Sequence, residues 1–191
     1  NLFLNQNEDK LNLIQTEFYN EIKFPNYDGM EDFGTLIQKG KKSIFGAKLD
    51  NEIPMNSKVL EAGCGTGQMS LFLSRFGREI YGIDLSLGSL KLAQKFKQAN
   101  DIKNVHFIKM NLNNLFFPNE YFDVIISNGV LHHTSDPKES FNHLTQYLKK
   151  NGIIVVGLYH KYGRLWTNIR QFMIKYLGDR FKFLDKRNFS D

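Results

Sequence analysis

Two carboxylates and a run of alternating glycines carry the clearest chemistry in this sequence. Glu61 stands two residues before Gly63 in Val59-Leu60-Glu61-Ala62-Gly63-Cys64-Gly65-Thr66-Gly67. Glycine at alternate positions lets a backbone turn sharply and approach a ligand closely, where a Cβ would clash. A dinucleotide fingerprint, G-x-G-x-x-G, would put its last glycine at position 68. Gln68 is there instead, and glycine comes one place early, at Gly67. A carboxylate ahead of such a loop repels a pyrophosphate and attracts a ligand with a cationic group. Asp84 follows 21 residues past Gly63. That spacing fits one βαβ unit and sets an acceptor for both hydroxyls of a ribose at the end of the next strand.

Other reactive side chains read more plainly. Cys64 is a small residue tolerated between glycines rather than a nucleophile. His132 and His133 are adjacent, whereas metal-binding pairs on a helix stand three or four apart, so no metal site is read. Each can act as a general base, a substrate contact or a helix cap, and the catalytic residues stay unassigned. Tyr159 follows the fifth strand, within reach of an acceptor. Lys39, Lys41 and Lys42 read as a solvated helix face, with contact to a ligand carboxylate as the alternative.

The elements that must position these groups alternate strand and helix from residue 58 onward. Strands read at 58–62, 79–84, 105–110, 122–127 and 153–158, with helices near 67–76, 86–99, 136–149 and 163–177. Val124-Ile125-Ile126 and Ile153-Ile154-Val155-Val156 are continuously apolar, as in strands covered on both faces. Ser86 caps one helix, and Asp136-Pro137 is an N-cap followed by proline at the first helical position. Lys149-Lys150-Asn151-Gly152 reads as a basic last turn with a glycine stop. Residues 8–20 and 32–49 add helical apolar spacing ahead of the first strand. The expected fold is α/β, a doubly wound, mostly parallel sheet with helices on both faces and extra N-terminal helices. Such sheets bind ligands at the carboxyl ends of their strands.

These motifs together resemble the class I, Rossmann-like, S-adenosylmethionine-dependent methyltransferases, in particular bacterial stand-alone proteins of unassigned substrate. E-x-G-x-G-x-G matches the family's loop around the methionine part of the cofactor. The resemblance implies cofactor contacts from Glu61, Ala62, Gly63, Cys64 and Gly65. By position, Asp84 holds the ribose, Leu85 packs beside the adenine, and Asn111-Leu112 meet the adenine edge. Asn111 departs from the family's usual Asp, but its amide oxygen also accepts from an amino group. Phe122 to His133 resembles the fourth-strand motif, whose loop near Asn128 faces the methionine amino group. Asp136-Pro137 continues that pattern, and Phe-Pro-Asn-Tyr at 24–27 and Leu-Tyr-His-Lys-Tyr-Gly-Arg at 158–164 are shared with the stand-alone proteins. The implied sheet has seven strands, so this sequence lacks the last one or two. That implies a fragment, or a strand 153–158 covered by residues 163–191, by self-association or by a partner chain.

The expected organisation is a helical extension or lid over 1–50, a cofactor-binding core over 51–160, and a basic helix and tail over 161–191. Net charge is +5, and all of it falls in residues 160–191, which hold eight Lys or Arg against three Asp. That tail reads as a solvated helix face, with an anionic partner as the alternative. No run is long and apolar enough for a membrane span. One cysteine in the chain excludes an internal disulfide, no signal-peptide pattern begins the sequence, and the expected compartment is the cytoplasm. The expected function is methyl transfer from S-adenosylmethionine to an unidentified acceptor. Ser-Asn-Gly-Val in place of Asn-Pro-Pro-Tyr argues against N-methylation of adenine or glutamine, and the expected acceptor is a small molecule such as a lipid head group, a quinone-like ring or a sugar. The alternatives are a non-catalytic module binding S-adenosylmethionine or S-adenosylhomocysteine, and an NAD-dependent oxidoreductase, against which Glu61 and Gln68 stand.

Overall fold

The computed structural model describes Tyr27 and residues 32–158. It divides the chain into two units, Asn1–Gly157 and Leu158–Asp191. The first contains every described element: α1 (Phe33–Lys42), α2 (Ile44–Glu52), β1 (Lys58–Ala62), α3 (Gln68–Leu73), β2 (Glu79–Asp84), α4 (Leu87–Ala99), β3 (Val105–Lys109), β4 (Phe122–Asn128), a 3-10 turn (Leu131–His133), α5 (Pro137–Thr145) and β5 (Leu148–Gly157). The five strands form one sheet in the order β3-β2-β1-β4-β5, every pair parallel. The helix expected over 8–20 and that over 163–177, with Tyr159 and the basic tail, lie outside the described residues.

The two central strands are apolar on both faces because both faces are covered. Val59 and Leu60 of β1, and Ile125 and Ile126 of β4, are fully buried. One layer packs Leu71, Phe72 and Phe96 from α3 and α4, with Leu36 and Leu49 from α1 and α2, against Val59, Ile80 and Val124. The other packs Leu144 and Tyr147 against Leu60, Ile83 and Ile125. No helix joins β3 to β4; Leu115, Phe117 and Tyr121 cover the sheet there instead.

Local sequence explains the caps. The Ser86 side chain accepts from the Ser89 amide ahead of α4, and Asp136 accepts from Lys138 and Glu139 with Pro137 behind it. The single helix expected over 32–49 is two. Ser43 ends α1 and caps α2 through its Oγ, which accepts from the Gly46 amide. A serine hydroxyl offers the backbone this alternative to continuing the helix. Arg78, buried with 1% exposure, ties α2 to the core. Its guanidinium donates to Asp50 Oδ1 at 2.8 Å and to the carbonyls of Asp50 at 2.7 Å and Ile53 at 2.6 Å.

The end of the fourth crossover corrects the expectation of a helix over 136–149. α5 stops at Thr145, and Leu148 is already aligned with Phe122. Tyr147 decides the matter. Its hydroxyl donates to the Leu115 carbonyl at 3.1 Å, and its own carbonyl accepts from the Tyr121 and Phe122 amides at 2.9 Å. Burying this ring draws the chain into the sheet before the lysines arrive. Lys149 then pairs with Asp123 at 2.7 Å instead of closing a helix. Residues 149–152 form an irregularity, after which Val124 aligns with Ile153.

Candidate functional site

Parallel register brings the expected site residues to one end of the sheet. Ala62 aligns with Ile83, Glu61 with Ile126, and Asp84 with Lys109. The residues that follow, Gly63 to Gly67, Leu85, Asn111 and Gly129 to His133, therefore leave the sheet on its carboxyl side, with Asn128 at the last position of β4.

The loop after β1 is held by its own backbone. The Gly63 and Cys64 amides both donate to the Ile83 carbonyl, at 2.8 and 2.9 Å, and the Gly67 amide returns to the Cys64 carbonyl at 2.9 Å. Gly63, Gly65 and Gly67 all have positive φ, a conformation that favours glycine. Packing supplies a second reason for two of them. A Cβ on Gly63 would stand 2.3 Å from Val130, and one on Gly67 would stand 2.4 Å from the Phe107 ring. Sequence reading did not connect either neighbour with the glycines, because Phe107 comes from β3 and Val130 from the loop after β4, both far along the chain.

Asp84 is oriented by amides at both oxygens. Gly65 donates to Oδ2 and Ser86 to Oδ1, each at 2.8 Å. Each carboxylate oxygen keeps a further acceptor direction. The Asp84 carbonyl takes the Met110 amide at 3.1 Å, which ties the third-strand loop to the second. Asn111 Oδ1 accepts from the Asn113 amide at 2.9 Å, so its side chain shapes its own turn while retaining a second lone pair. Leu85 is half-buried, and Leu112 packs against the α5-side core.

Glu61 is half-buried and accepts from Ser70 Oγ at 2.5 Å. Burial pushes its carboxyl from 4.5 up to about 7; Ser70 opposes the shift, and the charge of Asp84 adds to it. A nearby cation would relieve both effects. Burial, followed by Glu61 and Asp84, raises the Cys64 thiol well above its ordinary range. Cys64 therefore stays protonated and is a poor nucleophile. Ala62 is fully buried, so only its backbone can face a ligand. Asn128 is exposed; a Cβ on Gly157 would stand 1.9 Å from its side-chain oxygen. His132 and His133 lie side by side in the turn after β4, with ring centroids 3.9 Å apart and the planes tilted by 49°.

Sequence reading also missed Tyr27. Its hydroxyl donates to the Thr66 carbonyl at 2.5 Å, and its ring stacks on Phe96 at 4.4 Å. Phe-Pro-Asn-Tyr stood out in the sequence as a shared segment, but nothing there placed it beside the glycine loop.

The family profile described as "Methyltransferase domain" matches residues 60–156. An uncharacterised protein of Synechococcus is 36% identical over 118 residues, 60% of this chain and 28% of that protein. The uncharacterised methyltransferase YcgJ of Bacillus subtilis is 30% identical over 122 residues, 64% of this chain and 44% of that one. The chain thus spans less than half the length of these relatives. The crystal structure of YcgJ superposes with a TM-score of 0.52 at 25% identity, over 65% of this chain and 48% of that chain. A methyltransferase from Aquifex aeolicus gives 0.54 at 18% identity, over 74% and 71%, and shares the fold. By the profile match and the parallel five-stranded sheet with its loop arrangement, the chain belongs to the class I S-adenosylmethionine-dependent methyltransferases, a family whose cofactor is S-adenosylmethionine.

Proposed function

We propose that this chain binds S-adenosylmethionine across the carboxyl ends of its strands and transfers the methyl group to a small-molecule acceptor. The carrying observation is the pair of unlike carboxyls at the glycine loop. Asp84 is held by two amides with acceptor directions to spare, and Glu61 is buried enough to favour a cationic partner. In this reading Asp84 takes the ribose hydroxyls and Glu61 the methionine amino group. The backbone of Ala62 to Gly65 follows the methionine chain. Leu85 packs on the adenine, Asn111 and Leu112 meet its edge, and Asn128 lies beside the amino group. Bound there, the cofactor supplies a methyl already activated on a sulfonium. The protein's task is then to hold acceptor and methyl in line at attack distance. A base is needed only if the acceptor must lose a proton, a role for which His132 and His133 are the nearest candidates in sequence to the β4 loop.

Relatives leave the acceptor class open. An O-methyltransferase of ubiquinone biosynthesis from Pelagibacter ubique is 29% identical over 106 residues, and a ribosomal protein L11 methyltransferase from Acetivibrio thermocellus is 27% identical over 126. Ser127-Asn128-Gly129-Val130 stands where adenine or glutamine N-methylation calls for Asn-Pro-Pro-Tyr, which counts against those two acceptors. A second reading is a binding module without methyl transfer. The fold allows it, since a [4+2]-cyclase superposes with a TM-score of 0.53 at 24% identity. Calorimetry with S-adenosylmethionine and with NADH separates the binding readings: the first is expected to bind and the second not, and the reverse would overturn the proposal. Release of S-adenosylhomocysteine in the presence of a low-molecular-weight cell fraction, but not without it, would identify a transferase. Release with the protein fraction alone would refute the small-molecule acceptor.

A further inference from the structure

The loop between β1 and α3 contains one peptide plane that is gripped from both ends. The Gly67 amide donates to the Cys64 carbonyl at 2.9 Å, and the carbonyl of the same peptide, that of Thr66, accepts from Tyr27 Oη at 2.5 Å. Rotating this plane changes ψ of Thr66 and φ of Gly67. A glycine tolerates either sign of φ, so Gly67, with its φ of 78°, offers little intrinsic resistance. A flip would also turn away the amide that closes the loop on Cys64.

Tyr27 is well placed to resist that rotation. Its ring lies on Phe96 of α4 with an interplanar angle of 15°, a platform outside the loop. Burial, followed by the neighbouring Cys64 and Glu61, raises its hydroxyl above the ordinary tyrosine range, so it remains a donor. Thr66 is fully buried, which makes a carbonyl turned away from its donor expensive.

We propose that Tyr27 is a positioning residue for the cofactor loop, pinning the Thr66–Gly67 peptide plane so that Gly65, Asp84 and Glu61 keep the arrangement that binds S-adenosylmethionine. This rests on the function proposed above. The test is Tyr27→Phe in the full chain, which keeps the ring and removes the hydroxyl. Hydrogen exchange at the Gly67 amide is expected to quicken by about 5- to 10-fold, the worth of one buried hydrogen bond, while the amides of Val59 and Leu60 keep their rates. Affinity for S-adenosylmethionine is expected to fall by a similar factor. Phe96→Leu keeps the hydroxyl and loosens its platform, so Gly67 exchange should rise selectively by a smaller factor. Uniform acceleration of all core amides with unchanged affinity would overturn the proposal, because Tyr27 would then be only a packed aromatic. So would native affinity together with native Gly67 exchange. If the native chain binds no S-adenosylmethionine, the functional reading fails, and the exchange measurement alone decides whether the plane is pinned.

Discussion

Replacing Glu61 with Gln should make this protein more stable at neutral pH and a worse binder. Gln keeps the shape and still offers an oxygen to Ser70 Oγ, which donates at 2.5 Å in the native chain. What it removes is a charge that burial and Asp84 both oppose. The native carboxyl stands at about 7 when folded against 4.5 as its ordinary value. Between those limits the folded state binds more protons than the unfolded, so stability falls as pH rises through the window and levels off above about 7. A shift of that size corresponds to about 3 kcal/mol at most. Glu61 retains some exposed surface at the loop mouth, which brings the expectation to about 2 kcal/mol. Glu61→Gln should therefore match the native protein near pH 4.5 and exceed it by about 4–8 °C in melting temperature near pH 8. In calorimetry the variant should bind S-adenosylmethionine at least ~10-fold more weakly near pH 8, with the difference shrinking toward pH 5.5 as the native carboxyl takes up its proton. A variant less stable than native near pH 8, or a stability difference that does not change with pH, would refute the reasoning about this carboxyl.

Four further outcomes are expected. Asp84→Ala should lose two charge-assisted hydrogen bonds to the ribose and reduce cofactor affinity by at least ~10-fold; unchanged calorimetric affinity in a folded variant would refute its role. Asn111→Asp should bind the cofactor at least as well as the native chain, since Asp also accepts from the Asn113 amide, and a clear loss would mean that the third-strand loop does not meet the adenine. Arg78→Ala leaves Asp50 paired with Arg75 but takes the donor from the carbonyls of Asp50, Ile53, Pro54 and Leu73, and urea unfolding should show about 1.5–3 kcal/mol of destabilisation, against about 1 kcal/mol or less if the pairing is solvent-like. Gly67→Ala places a methyl 2.4 Å from the Phe107 ring at a φ of 78°, and should lower the melting temperature as well as affinity; a variant with native stability would show that the loop relaxes easily.

Most of the architecture could be read in one dimension because its causes are local. Alternating apolar runs and capped amphipathic segments specify strand after helix, and parallel crossovers leave few topologies open. The caps at Ser86 and Asp136 need only the residues beside them. The two errors arose where a tertiary demand overruled a local signal. Helix 136–149 was cut short because burying Tyr147 against Leu115 outweighs the helical preference of the lysines that follow. Helix 32–49 was divided at Ser43, whose hydroxyl side chain accepts from the Gly46 amide at the start of α2.

At the site, sequence alone determined that two carboxylates and three glycines would meet at the strand ends, since one βαβ unit fixes that spacing. It could not determine their condition. Glu61 reads as an ordinary carboxylate until the surrounding core displaces its water and the charge of Asp84 adds to the effect, with Ser70 opposing it. Gly63 and Gly67 read as room for a ligand until Val130, from the loop after β4, and Phe107, from β3, fill the space beside them. Tyr27 reaches Thr66 across 39 residues of chain. Charge state, close packing and long-range hydrogen bonds depend on what folding places within a few ångströms, and that proximity is a property of the tertiary structure.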